Sequence, residues 1–260
     1  MAGELLLLVS LVVAAFVPPI IYMVVVRNTE TCQREPWSAL LIAFAYGGTV
    51  AVIISIILES LADVILYNDF SPLATGFWNF EPYDPALETV LMAVIIAPIV
   101  EEMAKSTGVP RRRLLELEDG LVYGAAVGLG FAATENLLYL VNALLVGLDA
   151  FILTAVLRAV TSTVLHASAT AIAGYGIALA IFMSVRGRHV SWLPYLGVAI
   201  LLHALFNLFA SLGELVPLDP VLFALIGLVL AFILAAGSFV FIRKRIQELD
   251  RRISCPEPSR

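Results

Sequence analysis

Charge is what this sequence has least of. Only 14% of its 260 residues are Asp, Glu, Lys or Arg, and 61% are hydrophobic. A soluble domain carries about 25% charged residues, so the composition excludes a water-soluble enzyme of ordinary build. There are two cysteines, Cys32 and Cys255, too few for a disulfide framework or a cysteine-rich zinc site, and we read both as incidental. No HExxH segment occurs, so the helical zinc-protease signature is absent. There is no glycine-rich phosphate loop and no basic run suited to nucleic acid, which excludes nucleotide-driven chemistry and a nucleic-acid partner. What remains is a chain built for the lipid bilayer.

Apolar runs at 4–26, 37–66, 87–108, 118–146, 150–183, 192–213 and 220–242 are each long enough to cross a bilayer. Pro18 and Pro19 should kink the first of them. The stretch 67–86 carries acids, aromatics and prolines but no Lys or Arg, and reads as a folded or re-entrant loop. Numbering the connections alternately puts every Lys and Arg except Arg158 on one side. The positive-inside rule then gives about seven helices, with the N-terminus outside and the C-terminus in the cytoplasm. The expectation is a single all-α transmembrane bundle spanning 1–260.

The acids, bases and histidines left inside those runs are the candidates for function, because a charge near the bilayer centre is costly and rarely incidental. Glu101 and Glu102 are adjacent in the third run, after Pro98, with Lys105 one turn further on. On a helix Glu101 and Lys105 share a face, while Glu102 points about 100° away. The structural alternative is a Glu101–Lys105 pair near a helix end, with Glu102 reaching headgroup water. Glu59 and Asp63 share a face in the second run and read as outer-interface residues. Gly120, Gly124 and Gly128 form a small-residue ridge in the fourth run, and Glu135 lies on the same face, beside Asn136. Arg158, Ser162, His166 and Thr170 follow at four-residue spacing in the fifth run, and His203 and Asn207 in the sixth. Each stripe should face the bundle interior.

Three of these groups form an ordered set. Glu101-Glu102-Met103-Ala104-Lys105 is similar to an EExxK motif, Phe131 through Asn136 to FxxxEN, and His203 through Asn207 to HxxxN. In this order, on successive membrane helices, they resemble the PrsW family of intramembrane proteases, which is related to the CAAX prenyl proteases and the bacteriocin-processing group. The likeness covers about 87–213. It implies an endopeptidase that cuts membrane-anchored proteins, in the plasma membrane of a prokaryote.

Peptide hydrolysis needs an activated water, a stabilised oxyanion and a protonated leaving amine. In the expected site His166 and His203, with Glu135 or Glu102, hold a divalent metal, most plausibly zinc. Glu101 acts as general base beside Glu102, and Asn207 donates to the oxyanion. Lys105, Arg158 and Asn136 support them. A metal-free variant has Glu101 activate water directly. The rival from another class is an ion- or proton-coupled transporter using the same buried Glu, His and Arg residues.

Overall fold

The computed structural model describes residues 2–65 and 90–252, so the expected loop at 67–86 and Cys255 lie outside the described residues. Among the described residues every regular element is helical. The elements are α1 (Ala2–Arg27), α2 (Trp37–Tyr46), α3 (Val52–Ile65), α4 (Ala97–Thr107), α5 (Leu117–Val146), α6 (Leu148–Val160), α7 (Ser162–Val185), α8 (Leu193–Ala210), the short α9 (Leu212–Leu215) and α10 (Pro220–Asp250). Two π-helical turns, Gly47–Ala51 and Met92–Ile96, run directly into α3 and α4.

Among the described residues, six segments are long and apolar enough to cross a membrane: 5–27, 37–65, 117–146, 148–185, 193–210 and 220–250. The segment bearing the glutamate pair is not among the six, because Glu101, Glu102 and Lys105 interrupt its apolar run. It is nonetheless helical from Val90 and packs on α3, α7 and α8 inside the bundle. The protein is a multi-pass integral membrane protein. Its outward leucines, such as Leu5, Leu61, Leu153 and Leu230, are exposed and have only lipid to face.

α5 is the central helix. From Glu118 to Ala133 it is buried without a break. The ridge explains how. A Cβ at Gly120, Gly124 or Gly128 would strike the backbone carbonyls of Gly174, Thr170 and His166 in α7. With hydrogen there, α5 and α7 approach backbone to backbone, as small-residue faces do in membranes. On its other side, Gly130 meets Phe44 at the end of α2, and Gly47 meets Val127. The start of α5 is closed by a capping box between Glu116 and Asp119. α1 continues through Pro18 and Pro19 as one uninterrupted helix. The expected fifth run is divided at Thr161, whose φ of −120° and ψ of −81° end α6 and redirect the chain into α7. Cys32 is not a free thiol, so it is not the incidental residue the sequence suggested.

Candidate active site

Lys105 is the hub. Its side chain is fully buried, with Nζ 2.7 Å from Glu102 Oε1, 3.0 Å from Glu101 Oε2 and 2.8 Å from His166 Nδ1. It also lies 4.1 Å above the Phe131 ring. A buried ammonium is tolerable only when paired and hydrogen-bonded, and here two carboxylates and an imidazole surround it. The structural alternative that sends Glu102 to headgroup water is therefore not what is observed. Glu102 has no exposure, and its Oε2 accepts from Thr170 Oγ1 at 3.0 Å.

α7 and α8 bring the histidines together. The rings of His166 and His203 stand edge to face with centroids 4.8 Å apart. His203 Nδ1 lies 3.1 Å from Glu102 Oε1. A carboxylate can only accept, so Nδ1 carries the proton and the Nε2 lone pair points elsewhere. It faces Glu101 Oε2 at 3.9 Å. At His166 the same reasoning gives Nδ1 accepting from Lys105, while Nε2–H donates to Glu135 Oε2 at 2.7 Å.

Glu135 is also held by Arg158 Nη2 at 2.7 Å. Arg158 Nε donates to Asn136 Oδ1 at 2.7 Å, and its guanidinium lies 3.9 Å over the Tyr139 ring. Asn136 Nδ2 in turn donates to Thr163 Oγ1 at 2.9 Å. Of the two fates the sequence left open for Arg158, pairing with a buried carboxylate is the one observed.

Asn207 is placed by proline chemistry. In the π turn Met92–Ile96, the Ala97 N–H bonds back to the Met92 carbonyl. The next such bond would run from residue 98 to the Ala93 carbonyl, but Pro98 has no N–H. Asn207 Nδ2 supplies the missing donor at 2.7 Å. Its second amide hydrogen remains for other use.

These groups border a cavity of about 390 Å³ lined by Ser55, Glu59, Glu101, Glu135, Arg158 and Asn207, among others. Glu59 is the residue the sequence reading missed. It was assigned to the outer interface, yet it lines the cavity, with Oε1 buried and unpartnered. The available signal was Ser55, one turn before it on the same face. Glu102 does not line the cavity; its Oε1 contacts Lys105 Nζ and His203 Nδ1 behind it.

The three groups able to hold a metal here are Glu101, His166 and His203, each offering one ligand atom within 4.8 Å of the others. The donor set passes a chemical test. Glu101 Oε2 is buried beside Lys105 Nζ at 3.0 Å and also faces the lone pair of His203 Nε2 at 3.9 Å, so on that side two acceptors confront each other. A cation or a water between them satisfies both. At His166 an ion on Nδ1 would replace the hydrogen bond from Lys105. Glu135 stands outside this triangle, committed to Arg158 and to the far nitrogen of His166.

Comparison with known proteins agrees with this chemistry. Residues 35–237 match the PrsW family, described as intramembrane metalloproteases. The chain is 27% identical over 209 residues to Protease PrsW of Clostridioides difficile (strain 630), covering 76% of this chain and 78% of the relative. It is 28% identical over 199 residues to Protease PrsW of Geobacillus kaustophilus (strain HTA426), with the same coverage of 76% and 78%. No solved structure matches it.

Proposed function

The chain belongs to the PrsW family of intramembrane metalloproteases and is a membrane-embedded peptidase, and from that premise we propose that it cuts membrane-anchored proteins at the point where Glu101 meets His166 and His203. The observation that carries this reading is the Glu101 oxygen, buried, held by Lys105 at 3.0 Å, and 3.9–4.0 Å from a nitrogen of each histidine. Two imidazoles and one carboxylate form the open ligand set of a catalytic zinc site, so zinc is the metal proposed. When bound, it would polarise the scissile carbonyl and lower the pKa of its water.

The chain's own residues have separate tasks. Glu101 takes the third ligand place that the sequence reading gave to Glu135 or Glu102, and its second oxygen accepts the proton of the attacking water. Glu102 holds His203 in the tautomer that leaves Nε2 free. Glu135, fixed by Arg158 and Asn136, orients His166 from the opposite nitrogen. Asn207 offers its remaining amide hydrogen to the oxyanion. Lys105 holds the two carboxylates close, and its ammonium is a nearby proton source for the leaving amine. The motif-bearing core at 87–213 is the catalytic part of a single transmembrane domain, set in the plasma membrane of a prokaryote. The transport reading of the same residues finds no support among relatives that are proteases.

The test is metal content beside cleavage. Wild type and the His166→Ala and His203→Ala variants are purified in detergent without chelator. Near one zinc per wild-type chain, lost in both variants together with cleavage of a membrane-anchored reporter, is expected. A folded, active wild type that takes up no zinc when offered it would sink the metal assignment.

A further inference from the structure

A second group of acids lies far from the cavity, at the end of the bundle that carries the basic connections. Glu30 and Glu35 sit in the turn between α1 and α2, and Asp119 in the first turn of α5. All three are buried: Glu30 has no exposure, Asp119 4% and Glu35 8%. Each offers a carboxylate oxygen, and these oxygens lie within 4.8 Å of one another.

We propose that Glu30, Glu35 and Asp119 form a second cation site, which takes one hard divalent ion through oxygen alone.

Three observations support it. The first is what the nearby arginines do. Arg27 Nε donates to the Glu35 backbone carbonyl at 2.7 Å, and Arg34 Nε to the Glu30 carbonyl at 2.9 Å. Neither guanidinium is engaged with a carboxylate of the cluster, and no ion pair to the three is present among the described residues. The second is how the carboxylates are held. Asp119 Oδ2 accepts from the Leu115 and Glu116 amides at 2.6 and 2.8 Å. Glu30 Oε2 accepts from the Glu35 amide at 3.2 Å, and Glu35 Oε2 from the Tyr123 hydroxyl. Every one of these donors is neutral, so each carboxylate is oriented but none is ion-paired by them. The third is an orphan. Glu30 Oε1 is buried with no hydrogen-bond partner, on a side chain that belongs to the cluster. A buried acceptor left bare carries an uncompensated desolvation cost, which a bound cation would remove.

The dimensions suit the ion class. Oxygens at 2.3–2.6 Å from a calcium-sized ion stand at most about 5 Å apart, and closer around a magnesium-sized one. An all-carboxylate set favours magnesium, calcium or manganese over zinc. Without an ion the cluster holds protons instead. Burial is the main cause that pushes Glu30 up to about 8, and burial followed by the hydrogen bond with Asp119 pushes Glu35 up to about 8. An ion here would clamp the end of α1 onto the start of α5, the helix that carries Glu135.

The test uses full-length protein in detergent, carrying His166→Ala and His203→Ala so that the catalytic set is removed. Mn²⁺ binding is followed by paramagnetic resonance and Tb³⁺ binding by luminescence sensitised from Tyr123. Expected are near one Mn²⁺ per chain, a higher Tm with Mn²⁺ or Mg²⁺, and at least a tenfold weaker affinity after Glu30→Gln with Glu35→Gln. If that double variant does not fold, Mn²⁺ and Tb³⁺ titrations of the parent protein alone decide. A parent that binds neither ion overturns the proposal. So does a double variant whose Tm rises equally with and without divalent ions, because the carboxylates would then be repelling one another with nothing between them.

Discussion

Lys105 and Glu101 concentrate the site's electrostatics into one turn of helix. Because Lys105 touches both glutamates and His166, removing its charge leaves two buried carboxylates uncompensated. Breaking a buried ion pair from one side costs about 3–5 kcal/mol. Lys105→Met should lower thermal stability in detergent by that order, and adding Glu102→Gln should recover part of the loss. Unchanged stability in the single variant would mean that the carboxylates are neutralised from elsewhere. Glu101→Gln makes the opposite kind of change. It keeps shape and volume but removes the oxygen proposed as proton acceptor and ligand. Cleavage should fall by about 10²–10⁴-fold, the usual contribution of an acid–base group, with helix content intact. Near-normal cleavage would move the chemistry to Glu135.

At the level of elements, two local irregularities aim the side chains. Pro98 leaves the Ala93 carbonyl without a backbone donor, and Asn207 fills the place from α8. Pro98→Ala restores an N–H there and releases Asn207. Stability should be unchanged or higher while cleavage falls, because Asn207 is no longer fixed. A loss of stability parallel to the loss of activity would count against this role. π turns recur at functional positions for the same reason, since they free a carbonyl that a side chain can then use. The glycine ridge of α5 sets the other distance. Gly128 lies against the His166 backbone, so any Cβ there pushes α7, and His166 with it, away from the glutamates. Gly128→Ala should cost about 1–3 kcal/mol by overpacking and should reduce cleavage more than Gly120→Ala, which strikes α7 two turns from His166. Equal effects of the two substitutions would indicate general packing damage.

For the whole molecule, the bundle reconciles residues that the sequence scattered in depth. Glu101, Glu135, His166 and His203 come from four helices; the first three line one cavity, and His203 stands beside Glu101 and His166. A metal there belongs to the assembled bundle and to no single helix. Stripping it with a chelator should therefore abolish cleavage with little change in far-UV circular dichroism, and added zinc should restore cleavage. Activity that persists in chelator would leave Glu101 to activate water unaided. The membrane setting follows from the same architecture, because the apolar outer faces of α1, α3 and α10 stay exposed among the described residues.

Membrane immersion, the order of the motifs and the family likeness were all legible in the sequence. Transfer of apolar and charged residues into lipid is summed along the chain, and it needs no knowledge of neighbours. The stripes on the fourth to sixth runs were legible for a similar reason, since helical spacing alone places residues on a face. What a face meets is a different matter. That Lys105 holds both glutamates, that Glu101 and not Glu135 completes the triangle with the histidines, that Glu59 reaches the cavity, and that Glu30, Glu35 and Asp119 converge were decided by the tertiary structure. These depend on the rotation and closeness of helices distant in sequence. Those in turn are set by glycine contacts, by a proline that leaves one carbonyl free and by the break at Thr161, and none of these carries its partner's number in its own spacing.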